Sequence, residues 1–385
     1  MRVTAYDLAP RGPMHFGERG VGVETANEAC RADTLFGAIC FAVLELEGKA
    51  RLEAMLESFK AGEPPFLVSS AFPRAADVRL VPRPRLNRRR ATADDDAASP
   101  TDGPARKVLK KVRYVSWGVA ARNLAGEEIA PPGTGAVVGA GGDPDAGYVA
   151  WVTAEECQRL RTVHGGALWR RHGPALDRIE GWWVSGRAGR VPRVTVDRVT
   201  NASSVFQSAR VHFRPHAGLT VLVRWRDDEW RPVIDRAFRL LGDAGIGGER
   251  AIGHGQFDVA AVTDLELPVP SGANGFVTLA PYCPTVDEIG PNLAGGVLGP
   301  GAAWDLGTHG GWMGVPGVAL RQSTVTMLAE GSALRAPGPA LDDPVFGQVV
   351  DVTPDGYTAH RVYRYGYAFP WPAVLDGDNE EGSPA

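Results

Sequence analysis

The sequence predicts an α+β protein whose first domain follows the βαββαβ order of a ferredoxin-like, or RRM-like, fold. Three observations carry that prediction: an alternating opening strand, two segments with the 3.6-residue period of amphipathic helices, and a strand-like run on either side of each. Arg2 to Leu8 alternates as a strand, and the polar, Gly-rich stretch Arg11 to Arg31 holds no hydrophobic period and reads as a long loop. Asp33 is placed to cap a helix whose apolar positions Leu35, Phe36, Ile39, Cys40, Val43 and Leu44 stop at Gly48. Pro64 to Phe72 reads as the second strand. After an excursion over about residues 74–214, Gly218 to Trp225 is the third strand. Pro232 to Leu241 is the second helix, with Pro in its first turn and Gly242 past its end, and Gly255 to Val262 is the last strand. So long an excursion must carry structure of its own.

Beyond Leu265 a second unit begins, with strand-like runs at Phe276 to Ala280, Thr324 to Leu328, Gly347 to Val352 and His360 to Tyr365. The Gly-rich interval Gly290 to Gly317 reads as a loop across it. The boundaries are therefore 1–263 with the insertion, 264–376, and a short acidic tail at 377–385 that is expected to fray.

With 41 Lys plus Arg against 45 Asp plus Glu, the formal net charge is −4, which excludes an overall cationic coat and makes any anion-binding surface local. The hydrophobic fraction of 44% suffices for a buried core, while 48 Gly and 30 Pro indicate much loop. Four cysteines, Cys30, Cys40, Cys157 and Cys283, lie far apart without a CxxC pair and read as reduced thiols. The opening MRVTAYDLAP has no apolar h-region and the apolar run Phe36 to Leu44 is too short to span a bilayer, so a cytoplasmic protein without membrane contact is expected. No cofactor or metal motif is found: His212 and His216 are separated by Pro215 in an extended context, which argues against a helical metal pair.

The densest signal is the run Gly245-Ile246-Gly247-Gly248-Glu249-Arg250-Ala251-Ile252-Gly253-His254-Gly255 between the second helix and the last strand. Glycines at this density permit positive φ and can bring backbone N–H groups onto phosphate oxygens, with Arg250 adding a forked cation. An equally direct reading is a turn that tightens a helix-to-strand joint. Neither a Walker A loop nor a dinucleotide fingerprint fits, since no GK[ST] ends the run and it follows a helix. In Arg193 to Asn201, alternation puts Arg193, Thr195 and Asp197 on one face and Val194, Val196 and Arg198 on the other, as in a hairpin offering cations to a nucleic-acid strand or a solvated edge strand. Within the excursion, Arg79 to Arg90 carries six Arg and no acid, and Lys107 to Arg113 is basic again, with the acidic tip Asp94 to Asp96 between them. Aromatic residues accompany the basic segments, at Tyr114 and Trp117 and at Tyr363, Tyr365 and Tyr367, as stackers for single-stranded RNA or as core. His15, alone in the loop after the first strand, is a candidate general acid or base without an identifiable partner.

Five blocks in order, Arg31 to Ala38 (RADTLFGA), Lys107 to Ser116 (KVLKKVRYVS), Arg193 to Thr200 (RVTVDRVT), the glycine run and His360 to Phe369 (HRVYRYGYAF), resemble the RAMP subunit that caps the crRNA 5′ end in type III-A CRISPR Csm complexes. Thr326 to Leu334 (TMLAEGSAL) is similar to that subunit's C-terminal domain. The resemblance implies two RRM-like (RAMP) domains, the first with a long inserted thumb, and a non-catalytic antiviral-defence scaffold holding the 5′ handle of crRNA. It implies as partners the large HD/palm-domain subunit and the repeating backbone RAMP subunit, and no homo-oligomer. Carried over onto this chain, the RNA-binding positions are Gly245, Gly247, Gly248, Arg250, Gly253 and Gly255, the thumb positions Arg193, Asp197 and Arg198, and His15, Arg19, Arg31 and Thr34 in the loop leading to the first helix. Ala251 departs from the polar or basic residue often found there. The alternatives are a repeat endoribonuclease of the same fold using His15 and a nucleotide-binding enzyme built on the glycine loop.

Overall fold

The computed structural model describes residues 1–17, 22–86, 112–127, 135–139, 148–164, 169–171, 177–179, 183–184, 189–290, 295–313, 320–336 and 344–376. Arg19, the Arg88 to Arg90 run, the acidic tip, Lys107 to Lys111 and the tail lie outside them.

Its organising unit runs β1 (Arg2–Pro10), α1 (Ala32–Glu47), α2 (Lys49–Lys60), β2 (Phe66–Val68), β3 (Phe72–Ala75), then after the insertion β4 (Ala217–Trp225), α3 (Arg231–Ala244) and β5 (Phe257–Glu266). β1 lies between β4 and β5 and pairs antiparallel with both, while β4 takes β2 and β3 on its other side. That order, last–first–third–second, is what βαββαβ connectivity produces when both helices cover one face. Tyr6 on that face stacks on Phe238 of α3 at 4.4 Å between ring centroids.

Local chemistry accounts for most boundaries. α1 stops at Gly48, whose φ of +82° is in the region that glycine enters without penalty. α2 follows directly, burying Met55 and Phe59; its apolar spacing Leu52, Met55, Leu56, Phe59 is helical, yet the sequence reading ended at the glycine. Two expectations are corrected. Asp33 does not cap α1, because Arg31 occupies the N-cap position without a side-chain cap bond and Asp33 sits inside the first turn. Gly242 does not end α3; it lies within the helix, where a Cβ would fall 2.5 Å from the carbonyl oxygen of Phe257, so its role is close helix–strand approach, and Gly245 at φ +79° makes the turn.

The insertion continues the same sheet. Beyond β3 come Val78–Pro82, Tyr114–Ser116, Tyr148–Thr153 and Gly135–Gly139, completing a nine-stranded mixed sheet in which Tyr114–Ser116 and Tyr148–Thr153 are parallel. From it projects a hairpin of Arg190–Val196 and Ser203–Ala209, with Val194, Val196, Val199 and Val205 all more than half exposed.

After residue 266 the described strands form three small antiparallel sheets: Ala333–Arg335 with Gly275–Thr278 and Pro370–Ala373, Leu306–His309 with Val325–Leu328, and Val350–Asp351 with Tyr363–Arg364. The hydrophobic core does not break at the 263/264 boundary. Tyr365, Tyr367, Phe369 and Trp371 share one cluster with Phe36, Phe59 and Phe66. The Tyr367 hydroxyl donates to the Phe59 carbonyl, and Val68 N–H donates to the Tyr365 hydroxyl at 3.1 Å. Each such ring taken from water is worth about 1.5–3 kcal/mol, so the two halves stabilise one another.

Candidate nucleic-acid interface

The glycine run leaves α3 at Gly245 and folds back over the loop that follows β1. Gly248 N–H donates to the His15 carbonyl at 2.9 Å and Gly255 N–H to the Pro13 carbonyl at 2.9 Å. Gly245 N–H closes the helix on Leu241 O at 2.8 Å, and Gly253 N–H turns back on Arg250 O at 3.0 Å. Four of the five glycines expected to bare their amides to phosphate thus spend them inside the protein. Of the two readings open from the sequence, these contacts are those of a turn that tightens the helix-to-strand joint. Their main service is contact distance: a Cβ on Gly247 would lie 2.4 Å from the His15 carbonyl oxygen, and one on Gly255 2.1 Å from that of Ile246. Both also have φ of +85°, where an L side chain costs about 1–2 kcal/mol before any clash. Gly255→Ala is therefore expected to lower stability by on the order of 2–3 kcal/mol in urea unfolding, against about 1 kcal/mol for Gly62→Ala, where φ of +82° carries the same backbone strain but a Cβ meets nothing.

The packed loop presents one cation. Arg250 opens a single 3-10 turn, Arg250–Ile252, all of it exposed, and its side-chain stem lies 3.5 Å from the Cβ position of Gly245. The residue before it, Glu249, is left-handed at φ +60° and ψ +20°. A non-glycine residue holds that conformation only when its surroundings require it. Here Glu249 accepts an ion pair from Arg193 at 3.3 Å, and its carbonyl receives the Ile252 N–H at 3.1 Å. The ion pair joins the glycine loop to the hairpin. Glu249 was missed because the sequence reading weighed only cations and glycines.

Other expected residues are distributed unevenly. Asp197 is a turn builder, taking the Val199 and Thr200 N–H groups at 2.7 and 2.9 Å. Those two amide donors hold its carboxyl below the ordinary range. Asp197 and Arg198 lie at the exposed hairpin tip, about 13 Å from Arg193 at the rise of an extended strand. Arg31 and Thr34 lie at the start of α1, linked to the glycine loop only through the chain: Phe16, which packs beside Gly247, accepts the Asn27 N–H at 2.7 Å, and Arg31 follows four residues later as the N-cap of α1. Thr34 is exposed in the first turn of that helix.

His15 is sealed. It is 5% exposed, its Nδ1 is 2.8 Å from the Ala209 carbonyl oxygen, and Gly248 lies against its ring. A second histidine, His254, is buried within the loop with no partner to its Nδ1. Burial, then Arg210, pushes its pKa down; Glu249 opposes, while Arg193 and His15 add to the depression. His254 was legible only as a residue between glycines, and nothing in the sequence signalled that it would face His15.

Residues 271–373 match the CRISPR Csm4 C-terminal domain. Over its length the chain is similar to the CRISPR system Cms protein Csm4 of Thermococcus onnurineus (strain NA1), 26% identical over 371 residues and covering 96% of each chain. Its fold is similar to a chain of the Csm3–Csm4 subcomplex of a type III-A CRISPR-Cas interference complex, with TM-score 0.60, 15% identity and coverage of 98% of this chain and 100% of that one. It is likewise similar to a chain of a Csm1–Csm4 cassette in complex with cA4, with TM-score 0.56, 20% identity and coverage of 98% and 99%. All of these likenesses point to one class of protein, a subunit of type III CRISPR-Cas complexes. Within that class the C-terminal domain match and the end-to-end likeness are both to Csm4. Among the described residues no helix is long and apolar enough to cross a membrane.

Proposed function

We propose that this chain is the non-catalytic scaffold that binds and caps the 5′ handle of crRNA and joins the large HD/palm-domain subunit to the first repeating backbone RAMP subunit. The observation that carries the reading is the Arg193–Glu249 bridge, which fixes a protruding hairpin to an exposed turn bearing Arg250. A solvent-facing cation on a rigid turn, beside a hairpin whose apolar face is uncovered, suits a single strand with charged backbone and stackable bases. The similar structures hold Csm1 or Csm3 beside Csm4, and partners of those two kinds fit the resemblance. The burial of His15, with its Nδ1 against the Ala209 carbonyl oxygen, supports a scaffold, since a general acid or base must reach its substrate.

Purification of the tagged chain from its native host tests the whole reading. Recovery of crRNA together with the large palm-domain subunit and the backbone subunits is expected, and recovery of the two proteins without crRNA would sink it. Incubating the purified chain with labelled repeat RNA should leave the RNA intact; metal-independent cleavage that is lost in His15→Ala would establish the endoribonuclease instead.

A further inference from the structure

The first turn of α1 is held from outside by the C-terminal half. Asp33, whose side chain is 2% exposed, accepts from His309 Nδ1 at 2.9 Å and from Arg364 Nη1 on the same oxygen. Arg364 turns its other nitrogen to Gln322 Oε1. Asp33 Oδ1 receives the Thr34 N–H at 2.9 Å. One residue earlier, Ala32 N–H donates to Ser70 Oγ at 2.8 Å, and that hydroxyl donates to Glu330 at 2.7 Å. Residues 309, 322, 330 and 364 thus converge on a single helical turn. A helix start usually satisfies its amides with its own cap side chain or with water. This one has no side-chain cap and is tied to the other half of the molecule.

A buried ion network is a poor way to gain stability and a good way to fix one register. The register fixed here is that of the turn flanked by Arg31 and Thr34, and the loop before it is bridged to Phe16 beside the glycine loop. We propose that Asp33 is a positioning residue, through which the C-terminal half sets the first turn of α1 so that Arg31 meets a phosphate of the same RNA strand that Arg250 holds. Asp33 touches no RNA itself. The inference rests on the proposed handle-binding function and adds that the C-terminal half is needed for it, not only for docking proteins.

The test uses the full chain and fluorescence anisotropy of a labelled handle RNA across a potassium chloride series. Removing one phosphate contact from a single strand lowers the magnitude of the log K against log salt slope by about 0.7. Asp33→Asn should weaken binding about tenfold and lower the slope by the same amount as Arg31→Ala, and the double variant should lose no more than either single one. A purely structural role reduces the fraction of active protein and leaves the slope unchanged. If Asp33→Asn does not fold, Gln322→Ala, which deprives Arg364 of its second partner, should show a smaller change of slope in the same direction. An unaltered slope in the variant that folds, with Arg31→Ala lowering it, overturns the positioning role while handle binding stands. An unaltered slope in Arg31→Ala overturns it as well. Failure of the wild-type chain to bind the handle removes the parent reading, and the positioning role falls with it.

Discussion

Asp33→Ala is expected to destabilise the protein by about 3–5 kcal/mol in urea unfolding, the range for breaking a buried ion pair by deleting one partner. The cost comes from what stays behind: His309 and Arg364, at 2% and 7% side-chain exposure, lose the carboxylate that they share. Burial alone would raise the pKa of Asp33, but hydrogen bonds and charge from His309 and Arg364 outweigh it and hold the group well below the ordinary carboxylate range. The sign of the pH dependence follows. A depressed folded-state pKa gives stability that is fully present above the unfolded value of about 3.9 and is lost as pH falls through the folded value. Titration of Asp33 itself should narrow the gap between wild type and Asp33→Ala only below about pH 4. A gap below about 1 kcal/mol at pH 7 would mean that the network is solvated and contributes little.

Such a site could not be read from the sequence. The partners of Asp33 are 276 and 331 residues away, and local pattern offers for an Asp before an apolar period only the reading of a cap. Elements governed by local rules were legible: β1, α1, β4, α3 and β5 all fall where alternation, helical period and glycine placed them, within a few residues. α2 is not legible although its spacing is helical, because a glycine after an apolar period signals a helix end, and here Gly48 ends one helix and begins the next. Long-range pairing was equally out of reach. That the insertion would extend the first domain's sheet, and that Tyr365 and Tyr367 would close onto α1 and α2 and not stack on RNA, depends on contacts across some 300 residues. For the glycine loop the location and the option of a tight joint were legible, and the partners were not. Spacing reveals that a chain can approach closely; which backbone it approaches, here His15 and Ile246, is a property of the assembled fold.

Reversing both Arg193 and Arg250 to glutamate is expected to weaken handle RNA binding by a hundredfold or more at near-physiological salt, since each charge-assisted contact to phosphate is worth about 1.5–3 kcal/mol. The two residues should fail in different ways. Arg250 stands exposed on its turn, so Arg250→Glu removes a phosphate contact, lowers the salt slope by about 0.7 and leaves the fold and the hairpin in place. Arg193 is also the partner of Glu249. Arg193→Glu sets two carboxylates where an ion pair stood, so it should loosen the hairpin from the glycine loop, which amide hydrogen exchange will detect as faster exchange in 190–209 and 245–255. Adding Glu249→Arg to Arg193→Glu restores the pair with its polarity exchanged. If the pair serves mainly to fix the hairpin, the swapped protein recovers slow exchange and much of its RNA affinity; if Arg193 acts mainly through its own charge on the RNA, exchange recovers and affinity does not. Unchanged affinity in the Arg193/Arg250 double reversal, with slow exchange retained, would take this face of the molecule out of RNA binding altogether.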